Sequence, residues 1–512
     1  MFPNWKNVAA ALASAALLIG AFPPFEFWFL AWFALIPLLW AVEREREPIV
    51  RSFVLGWIFG TVFFFGTCWW LTFAPITYAG FPPALAYILM VGVTAITGTF
   101  PGIFASVLSL LLKRFGSIAI LAAPFIWVFT EFLRYRLTGN NWNAVGYSQA
   151  FGVITKTYAL IGGVLLVSFV GVTLNSVLAF CIQGRMRAIC LAFPAAYLVV
   201  FITGGTFRIA TDYTWDPPPV DATVLALQPN VPMSGLTREK WQQLRRRHVH
   251  LAESALSKLN EQRTIDSERP ITVIFPESPM NFMYEDDPET KSFINEFAAK
   301  NNVSVLFNSA EPDKTNGKFF NSAVMVGPDG KEIEQYDKIY LLPFGEAVPS
   351  MLEGIVPGFV GNFSYGSEYD LFPLGDAKAG VMICFESHFG QLSREYVRNG
   401  ADVLIEMTND GYLGPTPVLR QHLANAVFRA VETNRPVLRV TNVGITAYIN
   451  ERGEVLDAAA PYTEDTRVWT VSKSDGNQTF YVKYGDWFAW LCTIITIGLL
   501  ITSFRRKNLT NS

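Results

Sequence analysis

Charge is scarce in this sequence. Only 16% of its 512 residues are Asp, Glu, Lys or Arg, while 51% are hydrophobic. A soluble chain carries roughly a quarter charged residues, so a wholly soluble protein is excluded, and a mean hydropathy of +0.28 puts part of the chain in lipid. A surplus of positive charge is missing as well. The formal net charge is −3, and the one tight basic cluster of the polar half, Arg245, Arg246 and Arg247, reads as the face of a solvated helix. No nucleic-acid partner is expected. There are five cysteines and four histidines. Their spacing fits no zinc site, so neither a metal nor a cofactor is implied. The sequence has no internal repeat and no low-complexity tract.

Long apolar runs are what the sequence does have. A bilayer core needs about 20 apolar residues per helix, and eight stretches approach that: 7–22, 26–43, 52–73, 84–112, 117–135, 158–183, 188–205 and 487–504. The first is short and Ala-rich like a signal peptide, but six more follow closely, so it reads as an uncleaved first helix. Pro101 and Gly102 are expected to kink or break the fourth. Lys and Arg collect on the cytoplasmic side of a membrane. With the N-terminus inside, the inner segments hold Lys6, then Arg44, Arg46 and Arg51, then Lys113 and Arg114, then Arg185 and Arg187, and finally Arg505, Arg506 and Lys507. Loop 74–83 has neither, while Arg136 and Lys156 near 136–157 break the pattern. Both termini are therefore expected in the cytoplasm, with residues 206–486 outside it. Glu131 and Arg134 share one face of the fifth span. Ionisable groups there are often functional, and a structural ion pair is at least as good a reading.

Asp216-Pro217-Pro218-Pro219 closes the apolar half, and ordinary soluble composition follows. Strands are expected at 222–228, 271–275, 303–309, 320–326, 378–383, 402–407, 436–441 and 445–450, and helices at 237–260, 287–300, 388–399 and 416–434. That alternation describes an α/β domain. Residues 350–365 are apolar and Gly-rich and fit neither period. They read as a mobile arm at the bilayer surface, the alternative being a buried loop. In domain terms this gives a transmembrane bundle over 1–205, a linker over 206–219, an exported domain over 220–480, an eighth transmembrane helix over 487–504 and a cytoplasmic tail over 505–512.

Cys68, Cys181, Cys190 and Cys492 fall in the apolar spans and read as packing residues. Cys384 alone lies in the exported domain. Cysteines in an oxidising compartment are normally paired, so a solitary one is either a buried inert thiol or a reactive one. It follows the apolar strand 378–383 and precedes a helix, a place that favours a thiolate and holds an oxyanion. The spacing of His248, His250, His388 and His422 points to no Cys–His pair. Glu277 stands just past strand 271–275, where ligand sites of α/β sheets lie. Lys338 and Glu346 flank Ile339 to Gly345. Burial makes such a carboxylate a base, and a lysine beside a thiolate stabilises it.

These residues stand in the strings Phe275-Pro276-Glu277, Asp337-Lys338 with Leu342-Pro343-Phe344-Gly345-Glu346, and Ile383-Cys384-Phe385-Glu386. In that order they resemble the Glu-Lys-Cys triad of the nitrilase, or carbon–nitrogen hydrolase, superfamily. The run from Lys338 to Pro349 is similar to that of the bacterial apolipoprotein N-acyltransferases. So are Phe22-Pro23-Pro24-Phe25, Glu131 and Arg134 ahead of Gly146-Tyr147-Ser148-Gln149, Gln228-Pro229-Asn230-Val231-Pro232, Asn409-Asp410 and Thr441-Asn442.

The resemblance covers nearly the whole chain. It implies a membrane α-helical bundle of eight transmembrane helices carrying an α/β nitrilase-like four-layer αββα sandwich, in the bacterial inner membrane with the sandwich in the periplasm. It also implies transfer of a fatty acyl group from a phospholipid, typically phosphatidylethanolamine, through a thioester on Cys384 to the α-amino group of a diacylglyceryl-cysteine in an apolipoprotein. Glu277 is then the base, and Lys338 with the backbone N–H of Phe385 holds the oxyanion. Glu346 orients Lys338, Glu386 shapes the site, and Asn409, Tyr412 and Trp241 touch substrate. The expected partners are those two substrates and membrane lipids, and the enzyme is expected to be a monomer. Phe385 stands where the family has Tyr, Tyr412 where it often has Trp, and Trp241 lies farther along than the family's Trp. The alternative is a membrane-tethered amidase of the same superfamily that uses water as acceptor.

Overall fold

A computed structural model describes residues 2–152, 155–182, 219–262, 269–277, 282–343, 345–347 and 363–505. The chain divides into two compact units. One is Met1–Asp216 with Thr416–Phe428 and Tyr484–Ser512, and the other is Pro217–Pro415 with Arg429–Lys483.

In the first unit, four helical stretches among the described residues are long and apolar enough to cross a membrane: Ile49–Thr77, Pro83–Thr138, Lys156–Ile182 and Trp487–Phe504. They contain five of the predicted spans, because Pro83–Thr138 consists of helix Pro83–Phe115, a 3-10 turn and helix Ala123–Thr138. The first predicted span forms the shorter apolar helix Trp5–Gly20. The seventh, 188–205, lies outside the described residues, as does the arm 350–365 apart from its last three.

Two expectations change. Helix Pro83–Phe115 runs on through Pro101 without a break. This helix and Ile49–Cys68 make room for each other: a Cβ on Gly56 of Ile49–Cys68 would stand 2.2 Å from the Pro101 carbonyl oxygen, and one on Gly98 of Pro83–Phe115 would stand 2.6 Å from the Thr61 hydroxyl. Small residues at such a seam let two apolar helices approach closely. The stretch 26–43, by contrast, is not one helix. It forms a 3-10 turn, Trp28–Trp32, and a nine-residue helix, Ile36–Arg44. Backbone groups freed at this break need partners in an apolar bundle. Asn175, from Lys156–Ile182, donates to the Ala31 carbonyl at 2.8 Å and accepts from the Leu35 N–H at 2.8 Å. Gln149 donates to the Trp28 carbonyl at 2.9 Å.

Glu131 and Arg134 each bond to the loop 141–145 rather than to each other. The Glu131 carboxylate accepts from the Trp127 indole and the Val145 N–H, both at 2.8 Å. Arg134 donates to the Trp142 carbonyl at 2.9 Å and to Asn141 Oδ1 at 3.2 Å, and its guanidinium lies over the Phe64 ring. Together they staple the loop 141–145 to helix Ala123–Thr138.

The second unit is built on two sheets. In the first, β1 (Val220–Gln228), β2 (Ile271–Ile274) and β3 (Ser304–Pro312) run parallel. β4 (Phe319–Val326) and β5 (Glu332–Asp337) continue antiparallel, β6 (Phe363–Ser364) pairs with β4, and β13 (Asp465–Ser472) closes the other edge against β1. In the second, β8 (Ala377–Ile383), β9 (Val403–Thr408) and β10 (Val437–Thr441) are parallel. β7 (Leu371–Leu374), β11 (Ala447–Ile449) and β12 (Val455–Leu456) are antiparallel to their neighbours. The sheets lie against each other through β1 with β7 and β10, and β4 with β8. Helices Arg238–Gln262 and Pro288–Asn301 cover the first sheet, and Gly390–Arg398 lies on β8 of the second. Strands buried on both faces read as continuous apolar runs. That is how β2, β8 and β9, buried at almost every position, appear in the sequence.

Candidate active site

Four strand ends bring the polar groups of the second unit together. Phe275 extends β2 by one residue, donating its N–H to the Leu306 carbonyl at 2.9 Å, and Pro276 then delivers Glu277. β5 ends at Asp337, and Lys338 is anchored by its N–H on the Asn321 carbonyl at 2.9 Å. β8 delivers Cys384, and β9 delivers Thr408 and then Asn409. In register, Ile383 stands beside Met407, so the next residues along, Cys384 and Thr408, are neighbours.

Cys384 has φ +52°, a left-handed conformation that a residue with a Cβ adopts at a cost of roughly 1–2 kcal/mol. It opens a five-residue 3-10 turn, Cys384–His388, ahead of helix Gly390–Arg398. The Glu386 side chain holds this elbow. One carboxylate oxygen accepts from the Tyr336 hydroxyl at 2.8 Å, the Ile339 N–H at 2.8 Å and the Tyr340 N–H at 3.0 Å. The other accepts from the Ile383 N–H at 2.9 Å. A single buried side chain thus ties the Cys384 turn to the backbone just after Lys338.

The Lys338 ammonium is buried and lies 2.9 and 2.8 Å from the two Glu346 oxygens. Glu346 also accepts from the Leu342 N–H at 2.7 Å and from the Asn321 amide at 2.6 Å. The same Asn321 amide reaches Glu277 at 3.5 Å, and Asn321 is held in turn by Asn308 at 2.7 Å. The second Glu277 oxygen accepts from the Asn409 N–H at 3.1 Å. Cys384 interacts electrostatically with Glu277 and Lys338, and Thr408 stands next to it across the strand pair.

Burial dominates the electrostatics. It raises the Glu277 carboxyl above its ordinary range, with Lys338 opposing. Burial, and then the Glu277 charge, push the Cys384 thiol well above its ordinary value. The sequence places Cys384 where a helix N-terminus favours the thiolate. The residue opens a short 3-10 turn rather than a full helix, and the pull of Lys338 and Thr408 on the thiol does not outweigh burial. Burial also opposes the charge on Lys338, but Glu346, Glu277 and Cys384 together raise its pKa. Lys338 holds Glu346 below the usual carboxylate range despite burial. Glu386 is raised to about 7, by burial first, against the pull of Lys338 and its hydrogen-bond donors. The arrangement can move one proton between Cys384 and Glu277 beside a fixed positive charge.

The structure therefore brings Glu277, Lys338, Cys384, Glu346 and Glu386 into one polar cluster. Phe385 follows the thiol with its ring stacked on His388. Asn409 contributes its backbone N–H, while its side chain caps the turn Asp410–Leu413 by accepting from Gly411. Tyr412, in that turn, is half exposed. Trp241 is placed differently, packed against the hydrophobic core under the first sheet, with the Arg245 guanidinium over its ring. His248 is a core histidine, bonded to the Leu244 carbonyl and held by burial near a pKa of about 4. Asn321, Thr408 and Tyr336 belong to the cluster without a signal in the sequence. They are ordinary strand residues, and only the register puts them there.

Residues 14–177 match the family model described as apolipoprotein N-acyltransferase N-terminal domain, and residues 239–480 match that of carbon-nitrogen hydrolase. The chain is similar to the apolipoprotein N-acyltransferase of Geobacter metallireducens, 30% identical over 98% of this chain and 96% of that protein. It is 29% identical to the apolipoprotein N-acyltransferase of Thermotoga maritima over 98% of this chain and 95% of that one. Among solved structures it is similar to Saccharomyces cerevisiae Nit3, a member of branch 10 of the nitrilase superfamily, at 17% identity over 50% of this chain and 91% of that one, with a TM-score of 0.38. It is also similar to an amidase from Nesterenkonia sp., at 14% identity over 52% of this chain and 93% of that one, with a TM-score of 0.37.

Proposed function

This chain belongs to the apolipoprotein N-acyltransferase family, and from that premise we propose that Cys384 carries a fatty acyl group from a phospholipid to the N-terminal amine of a lipoprotein. The observation that supports this reading is the buried cluster of Cys384, Glu277 and the Lys338 ammonium, with Asn321 joining Glu277 to the Lys338 partner Glu346. The first substrate is a phospholipid such as phosphatidylethanolamine. Cys384 Sγ attacks an acyl ester carbonyl as its proton passes to Glu277, so no free thiolate need persist in a site that disfavours one. The Lys338 ammonium and the Phe385 N–H receive the oxyanion. The C–O bond breaks, Glu277 returns the proton to the departing alkoxide, and a lysophospholipid leaves behind a thioester.

In the second half the α-amino group of diacylglyceryl-cysteine attacks the thioester. Glu277 takes the ammonium proton, the C–S bond breaks, and Glu277 passes that proton to the departing sulfur, so the product is an amide and both the thiol and the carboxylate are restored. Glu346 and Asn321 fix the distance between base and ammonium. Two substrates that meet the enzyme in turn make a ping-pong scheme.

Both substrates are lipids, which accords with the apolar helices. We place eight crossings in the inner membrane, the second made by the interrupted segment 26–43, with both termini cytoplasmic and residues 220–480 in the periplasm. The lone thiol, the distribution of Lys and Arg and the family support this topology. The 350–365 segment is proposed as the arm that admits lipid tails and limits water, which would hydrolyse the thioester.

Mass spectrometry of the purified enzyme incubated with phosphatidylethanolamine tests the reading. A fatty-acyl mass on the peptide containing Cys384, absent in Cys384→Ala and discharged by a diacylglyceryl-cysteine peptide, is expected. Discharge by water at the same rate would instead mark an amidase-like hydrolase. Full N-acylation of lipoproteins in cells carrying only Cys384→Ala would sink the reading.

A further inference from the structure

One strand away from Cys384 lies a cluster of buried charge that the proposed chemistry leaves unused. Arg439 on β10 stands in register with Glu406 on β9. Its guanidinium contacts the Glu406 carboxylate and lies 2.8 Å from Asp410. Arg439 and Glu406 are fully buried, and Asp410 is 2% exposed. Desolvating three charges gains little stability over an apolar packing of the same volume, so the cluster calls for another purpose.

Its position in the chain supplies one. Thr408, Asn409 and Asp410 are consecutive, and each makes a different contact. Thr408 stands beside Cys384, the Asn409 N–H donates to Glu277 at 3.1 Å, and Asp410 meets Arg439. The turn is clamped from its other side too. The Asn442 N–H donates to the Thr408 carbonyl at 3.1 Å, and a Cβ on Gly444 would stand 2.2 Å from an Asp410 oxygen. Where Asp410 sits therefore decides where the partners of both the nucleophile and the base sit.

We propose that Arg439 is a positioning residue for acyl transfer: it locks Asp410, and through it residues 408–410, against Cys384 and Glu277, and it offsets an Asp410 charge that opposes a thiolate. This rests on the reading of Cys384 as acyl carrier. The charged and titratable groups around Cys384 are Glu277 after β2, Lys338 and Glu346 after β5, Glu386 in its own turn, Asp410 and Glu406 on or after β9, and Arg439 on β10. Of these, Asp410 and Arg439 act with opposite sign while touching neither Lys338 nor Glu346.

The sign is the test. In the full-length detergent-purified enzyme, iodoacetamide alkylation of Cys384 is followed against pH by peptide mass spectrometry, with thermal unfolding as the check on folding. Arg439→Gln leaves two carboxylates uncompensated and is expected to move the alkylation profile to higher pH by about one unit, tenfold less thiolate at fixed pH. Asp410→Asn removes a negative charge and moves it to lower pH. Arg439→Lys keeps the charge and retains the wild-type profile, and if Arg439→Gln does not fold, the contrast between Arg439→Lys and Asp410→Asn decides. Shifts of Arg439→Gln and Asp410→Asn in the same direction, or an Asp410→Asn profile that does not move, overturn the proposal. Alkylation needs no lipid, so the two readings fail separately. Profiles that move as stated without any acyl adduct on the wild type reject the carrier role alone, and adducts with unmoved profiles reject the Arg439 role alone.

Discussion

Cys384 and Glu277 meet in a place that penalises charge on either of them. Burial raises both pKa values, and in the proposed chemistry the pair works only while Glu277 is ionised. As pH falls, a raised carboxyl takes up its proton earlier than an ordinary one, and the base is lost. The acid limb of acyl-enzyme formation is therefore expected above the ordinary value of 4.5. Single-turnover rates against pH check this, and a limb at or below that value counts against Glu277 as base. Glu277→Gln should lower the rate by roughly 10²–10⁴-fold. Asn321 holds both carboxylates with one amide, and Asn321→Leu removes two charge-assisted hydrogen bonds of about 1.5–3 kcal/mol each. A loss of roughly tenfold or more in acyl-enzyme formation is expected, and unchanged kinetics would show the amide to be a bystander. At this scale the sequence marks the residues with unusual chemistry in unusual places, such as a lone thiol and a carboxylate past an apolar strand. It cannot mark Asn321 or Thr408, because their importance comes from β-sheet register alone.

Secondary elements set the distances among those residues, and Glu386 joins two of them. Its four donors come from β5, from the residues after Lys338 and from the end of β8. Glu386→Gln turns one acceptor into an amide that must face N–H donors, leaving buried groups unpaired at about 1–3 kcal/mol. A lower Tm together with a lower single-turnover rate is expected. A full rate with a lower Tm would mean that the elbow holds its shape without this tie. The buried parallel strands are legible as apolar runs, and all four helices expected between residues 237 and 434 appear within about two residues. The strands that escape are edges or next to edges. β5 reads EIEQYD, and β13 carries charge among alternating apolar residues, so neither has the apolar signature of a strand covered on both faces. Segment 26–43 misleads for the opposite reason. Its apolar length is that of a span, and the partners that satisfy its interruption come from an amide in another helix, which the segment itself does not reveal.

For the whole molecule, the composition already separates a lipid-embedded part from a polar one, and the distribution of Lys and Arg gives a direction. Asp286 is exposed in the second unit and belongs to none of the site described above. An Asp286→Cys variant is expected to react with a membrane-impermeant maleimide added to intact spheroplasts, without detergent. Labelling only after lysis would place the domain on the cytoplasmic side and remove the lone-thiol argument with it. The interrupted segment also bears on how the chain is made. Leu35 finds its acceptor on Asn175, 140 residues later. At ribosomal speeds of about 5–20 residues per second, that amide emerges roughly 7–28 s after the groups it must satisfy. Until then the exposed Ala31 carbonyl and Leu35 N–H need water or another host. The second apolar segment thus reaches its final form only when the sixth has been made, so its shape is a product of tertiary assembly rather than of its own sequence.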